Sequence, residues 1–130
     1  MKMSRAGNER TGNKIINIPV KAGEEILQAE LVVIDENGYA KVAVAEANVK
    51  AAGISQKYVD NRNGEDGEVT IEVRRGAFVM ENAGDITNRD ILKPCYIKDS
   101  VTVTMEDTGT SVAGTILEVD KDKSVTVEFK

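Results

Sequence analysis

The residues able to do chemistry in this chain are carboxylates, arginines and one thiol, and their spacing limits each of them. Glu24-Glu25, Asp35-Glu36, Glu65-Asp66 and Glu106-Asp107 are paired carboxylates. General acid–base work needs a carboxyl group whose surroundings move its pKa. These pairs lie in or beside turn-rich stretches and read as solvated surface. The run Asp60-Asn61-Arg62-Asn63-Gly64-Glu65-Asp66-Gly67 is rich in oxygen ligands and invites a calcium reading. A calcium loop of the helix–loop–helix kind wants oxygen ligands at positions one, three and five, and glycine at six. Counting from Asn61 puts Asp66 at the sixth place, and counting from Asp60 puts Arg62 at the third. The run reads as a hairpin loop and not as a metal site. Cys95 is the only cysteine and the chain has no histidine, so no imidazole activates the thiol and no His-based triad or usual zinc site exists. A buried, inert thiol is expected. Arg74-Arg75-Gly76 ends a strand pattern. It reads as a charged strand end that discourages aggregation, with an anion site or an intersubunit ion pair as the functional alternative. No glycine-rich phosphate loop appears, and no cofactor is implied.

Strands must carry these side chains, because the pattern is β almost throughout. Leu31-Val32-Val33-Ile34 and residues 39–44 flank Asp35-Glu36-Asn37-Gly38, and Asn-Gly is a hairpin signal because both residues tolerate positive φ. Val69, Ile71 and Val73 alternate with Thr70, Glu72 and Arg74, a period of two. Further strands are expected over residues 51–59, 77–80, 95–97, 101–105, 112–119 and 124–129. Helix is confined to two candidate single turns, residues 45–50 and 87–90. The spacing predicts an all-β fold, a small β-barrel or β-sandwich.

Charge divides the chain. Residues 1–21 hold five basic residues against Glu9, a net of +4, while the remainder holds 12 basic and 21 acidic residues, a net of −9. A basic, extended N-terminal arm on an acidic body suggests an arm that reaches for a partner. Within it, Ile15-Ile16-Asn17-Ile18-Pro19-Val20 reads as a short strand that Pro19 confines to an edge. The candidate partner-binding residues are Arg10, Lys14, Ile15, Ile16, Ile18 and Val20, acting by addition of a strand to another protein's sheet. The acidic body argues against nucleic acid as a ligand. No apolar run approaches the ~20 residues of a membrane helix. The polar N-terminus lacks the apolar core of a signal peptide, so residence in a cytoplasm is expected. Aromatics make up 4% and tryptophan is absent, which leaves a thin core of Val, Ile, Leu and Ala; oligomerisation is a common remedy.

An internal echo runs through the body. Ala52-Gly53-Ile54 followed by Val69-Thr70-Ile71-Glu72-Val73 matches Ala113-Gly114-Thr115 followed by Val125-Thr126-Val127-Glu128-Phe129. Upstream, Ala22-Gly23 matches Ala83-Gly84, and Val42-Ala43-Val44 matches Val101-Thr102-Val103. A unit this short cannot bury an apolar face alone, so the copies should pack into one body. The expected organisation is an arm over 1–21 and a single body over 22–130, with similar halves near 22–80 and 83–130.

Several of these segments carry a resemblance. Ala22-Gly23-Glu24-Glu25-Ile26, Leu31-Val32-Val33-Ile34-Asp35, Gly38-Tyr39-Ala40, Ala52-Gly53-Ile54, Gly67-Glu68-Val69-Thr70-Ile71 and Gly76-Ala77-Phe78-Val79 together resemble the capsid cement, or head decoration, proteins of tailed phages. Phage head-fibre proteins are close neighbours of that pattern. The second half repeats the theme from Asp90-Ile91-Leu92 onward. The resemblance covers residues 22–130, while the 60–67 loop and the Lys93-Pro94-Cys95 strand start depart from it. It implies a non-enzymatic virion protein that trimerises on the outer capsid surface and binds the major capsid protein. The protein would pass through the host cytoplasm during assembly. Residues 117–122 are similar to the lysine hairpin of lipoyl-carrier domains, which would make Lys121 a modified residue. Asp122 stands where that family has a small side chain. The hairpin also lies inside the second copy instead of between the halves. A cellular ligand- or protein-binding β-domain is the other alternative.

Overall fold

The computed structural model describes residues 14–122 and 124–130. Its strands are β1 (Ile15–Pro19), β2 (Glu25–Ile26), β3 (Leu31–Ile34), β4 (Ala40–Val42), β5 (Lys50–Ser55), β6 (Val59–Asp60), β7 (Thr70–Arg74), β8 (Gly76–Asn82), β9 (Pro94–Ile97), β10 (Thr102–Thr104), β11 (Val112–Val119) and β12 (Ser124–Phe129). The expected all-β fold is what forms. A single 3₁₀ turn, Asn88–Asp90, occupies one of the two helical candidates, and the Asp90 carboxylate accepts the Thr87 N–H at 2.9 Å. Residues 45–50 form bends and the start of β5, with Asn48 at φ 67°, so the Ala-rich turn expected there is absent.

Five strands make a sheet in the order β1-β7-β5-β3-β4, and five make a closed barrel, β10-β8-β12-β11-β9. In both, the first strand pairs with the last, the last with the fourth, the fourth with the second, and the second with the third. The two units have one topology. The matching pairs confirm it: Ile54 faces Arg74 and Ser55 faces Val73 in the first, Thr115 faces Glu128 and Ile116 faces Val127 in the second. Ala52 and Ala113 are each the extra residue of a β-bulge, where the register slips beside Val32 and beside Cys95. Ala29 and Leu92 both turn left-handed before the second strand and donate their N–H to Ser55 and Ile116 carbonyls. The echo is therefore real in three dimensions but offset from its sequence alignment. Val73 corresponds to Val127, two residues before Phe129, and Ala40 corresponds to Val103.

The units differ at one seam. In the closed barrel, Glu81 N–H donates to the Val101 carbonyl at 2.9 Å and Ala83 N–H to Val103 at 3.0 Å. In the first sheet, Lys21 N–H donates to Ala40 at 3.0 Å and Val20 bridges Ala40 in parallel. The place of Glu81 is taken by Pro19, which has no N–H to give. One seam is a ladder, the other a single bridge.

Burial follows strand periodicity where a strand has one wet face. In β7, Ile71 and Val73 are fully buried while Thr70 and Arg74 are exposed. β3 is a continuous apolar run because it is buried on both faces. Val32 points into the first core, with Ile18, Val20, Ala40, Ala52, Ile71 and Val73. Leu31 and Val33 point the other way and join Ile54, Ile116, Val127 and Phe129 in the second core. That shared cluster welds the units into one body, each buried Val, Leu or Ile contributing about 1.5–3 kcal/mol.

Two boundaries move. The body begins at Ile15 and not at residue 22, because β1 pairs along its length with β7, from Ile15 opposite Arg74 to Pro19 opposite Thr70. The halves part at Arg75 and not near residue 80, because β8 belongs wholly to the second unit, paired with β12 and β10. Residues 1–13 of the expected arm, including Arg10, lie outside the described residues.

Candidate partner interface

The expected partner-binding strand does add to a sheet, but to its own. Ile18 is 5% exposed and Val20 fully buried, so neither side chain reaches a partner. Ile16 is half-buried against the same core and sits opposite Val73. The physical reason is alternation: Ile16, Ile18 and Val20 share one face of an edge strand, and the sheet's own core is the nearest place to bury it. Lys14 and Ile15 stay at the surface, Ile15 being 38% exposed.

These two residues sit where the units meet. The chain passes from β7 into β8 through Arg74, Arg75 and Gly76, with only Arg75 between the strands. Arg75 donates its N–H to the Lys14 carbonyl, and Ile15 faces Arg74. On the other side, Phe129 faces Gly76 and Glu128 faces Ala77. Gly76 takes φ 128°, a conformation that side chains resist, and it lets the strand kink between units. Two grooves flank this kink. One, of about 420 Å³, is lined by Lys14, Arg75, Gly76, Ala77, Glu128, Phe129 and Lys130. The other, of about 250 Å³, adds Gln56, Arg74 and Phe78. Phe78 and Phe129 lie with ring centroids 6.3 Å apart, and they are the chain's only two phenylalanines. The rim is cationic. Lys130 reaches Glu128 at 3.9 Å, while Lys14, Arg74 and Arg75 form no ion pair among the described residues.

The other chemically suggestive residues are occupied within the fold. Arg62 donates to both Asp60 oxygens at 2.9 Å and holds that carboxyl down to about 2. Tyr58 donates to Glu25 at 2.7 Å, and this bond raises the phenol's pKa. Asn61, expected in a solvated loop, is 2% exposed. Its side-chain amide donates to the carbonyls of Val20, Lys21 and Glu65 at 3.2, 3.1 and 3.0 Å. Among the described residues no group of three or more metal-ligating side chains comes together.

Two of the paired carboxylates depart from the solvated-surface reading. Glu24 accepts the Val42 N–H at 2.9 Å and so caps the edge strand β4. Asp35 accepts the Tyr39 and Asn37 amides at 2.9 Å each; the Tyr39 bond above all holds its carboxyl below the usual range. The expected hairpin is present, with Gly38 alone at positive φ, 89°, so the turn is of the bulged kind and not the two-residue Asn-Gly form. Cys95 is fully buried, and burial pushes its thiol up to about 11. Lys121 is exposed at the tip of the β11–β12 hairpin.

Sequence reasoning missed Asn61 and Lys130. Nothing local marks Asn61 as buried, since two of its three acceptors lie 41 and 40 residues away. Compared with family models, curated proteins and solved structures, the chain matches none.

Proposed function

We propose that this chain is a non-catalytic structural protein of a phage or prophage virion that binds the outer capsid surface, through the major capsid protein, and stabilises the expanded head. The observation that carries the reading is the duplicated unit. The half-motifs on which the resemblance to capsid cement proteins rests, Ala52-Gly53 and Ala113-Gly114, take the same bulge in the two units. A doubled β-body with a shared core is a rigid block that presents surface without needing a reaction centre. Binding energy that exists only on the assembled shell stabilises that shell by mass action. A homotrimer would engage three capsid subunits at once and gain avidity without new contacts.

The test is to purify full phage heads made in the source organism and measure this protein's copy number on them. Stoichiometric presence is the expected result. Absence from heads, with the protein free in the lysate, overturns the reading. The mass of the protein recovered from heads checks the carrier alternative at the same time, since a modified Lys121 adds the weight of its prosthetic group.

A further inference from the structure

The two adjoining grooves at the junction of the units together concentrate positive charge on an acidic chain. Lys14, Arg74, Arg75 and Lys130 contribute four positive charges and Glu128 one negative. The two grooves together therefore carry +3 of a molecule whose net is −5, and everything outside them sums to −8. Arg75 lines both grooves, and Arg74 joins it in the second. Phe129 lines the first groove and Phe78 the second. An apolar lining displaces water and strengthens charge-assisted hydrogen bonds beside it.

We infer that these two adjoining grooves form the docking site for a short acidic segment of the capsid shell protein. The segment lies extended across the Arg75–Gly76 kink with two or more carboxylates on the guanidinium groups. Guanidinium forks match carboxylates in a bidentate manner. The distribution of charge selects a short segment over nucleic acid. A polyphosphate strand would extend beyond the grooves over a chain whose remaining charges sum to −8, whereas a few carboxylates can be held within them. The identity of the partner rests on the virion reading; the acidic chemistry of the ligand does not.

The probe is a hexaglutamate peptide, titrated into the full chain at about 50 mM salt, where screening is weak, while backbone amide shifts are recorded. Saturable shifts centred on Gly76 and Ala77 are expected. Arg74→Glu/Arg75→Glu should weaken binding by at least about ten-fold, and so should the separate variant Lys14→Glu/Lys130→Glu. Lys98→Glu/Lys121→Glu, an equal change of charge on exposed residues outside both grooves, should not. Absence of saturable shifts, equal loss in the Lys98/Lys121 control, or tighter binding of a single-stranded oligothymidylate overturns the inference. The head-binding assay separates the two readings. Wild-type protein on heads together with undiminished Arg74→Glu/Arg75→Glu protein overturns the groove and leaves the virion role standing. Wild-type protein absent from heads overturns the capsid partner, and the hexaglutamate titration then decides the acidic ligand alone.

Discussion

Gly53 and Gly114 hold the same position in the two units: a methyl group on Gly53 would stand 2.4 Å from the Arg74 carbonyl oxygen, and one on Gly114 would stand 2.4 Å from that of Glu128. Each glycine follows a bulge alanine and lets the fourth strand approach the fifth. Gly53→Ala and Gly114→Ala should each destabilise by about 1–3 kcal/mol through overpacking against backbone. Gly53→Ala should cost more, because Gly53 also sits at φ 145°. Urea unfolding of the purified variants gives the comparison. Unchanged midpoints would show that the strands can part without cost.

Asn61 ties the 60–67 loop to the chain leaving β1. Asn61→Leu keeps the branching and the number of side-chain heavy atoms and removes the donor to three carbonyls. The expected loss is about 1–3 kcal/mol, the cost of leaving buried acceptors unpaired. Limited proteolysis should then cut within 60–67. A variant as stable and as resistant as wild type would mean that water replaces the amide freely.

Cys95 predicts a pH dependence of definite sign. Its thiol goes from an ordinary 9.0 up to about 11 on burial, so the native state keeps a proton that the unfolded chain gives up. The contribution is complete below pH 9 and is lost as pH rises toward 11. Measured against Cys95→Ala, wild-type stability should fall more steeply over that interval and run parallel below it. Alkylation of native Cys95 at pH 8 should require unfolding. Parallel profiles throughout, or rapid alkylation, would place the thiol in solvent.

Pro19 interrupts the seam of the first sheet. Pro19→Ala supplies the N–H that Glu81 supplies in the second unit, where the acceptor is Val101. The new amide should be protected from hydrogen exchange to the level of Lys21, with the Gly38 carbonyl, the counterpart of Val101, as its acceptor. Exchange at the rate of an exposed loop would show that the seam stays open for reasons other than the missing donor.

The sequence alone determined most of the strands, though not β2, and it read β5 and β6 as one strand over 51–59. β3, β11 and β12 fall where pattern placed them, because alternation of apolar residues and the turn residues between them are local properties. It also determined that two copies of one motif exist. Only the tertiary structure decided how the copies correspond, since strand register depends on bulges at Ala52 and Ala113 that a linear alignment does not contain. The fate of residues 15–20 was likewise undecidable locally. An edge strand can complete its own sheet or another protein's, and the choice falls to whichever core is within reach. The pair of junction grooves is a tertiary product as well. Lys14, Arg74, Arg75 and Lys130 are spread from near one end of the chain to the other, and folding gathers them because β1 and β12 both end beside the Arg75 kink.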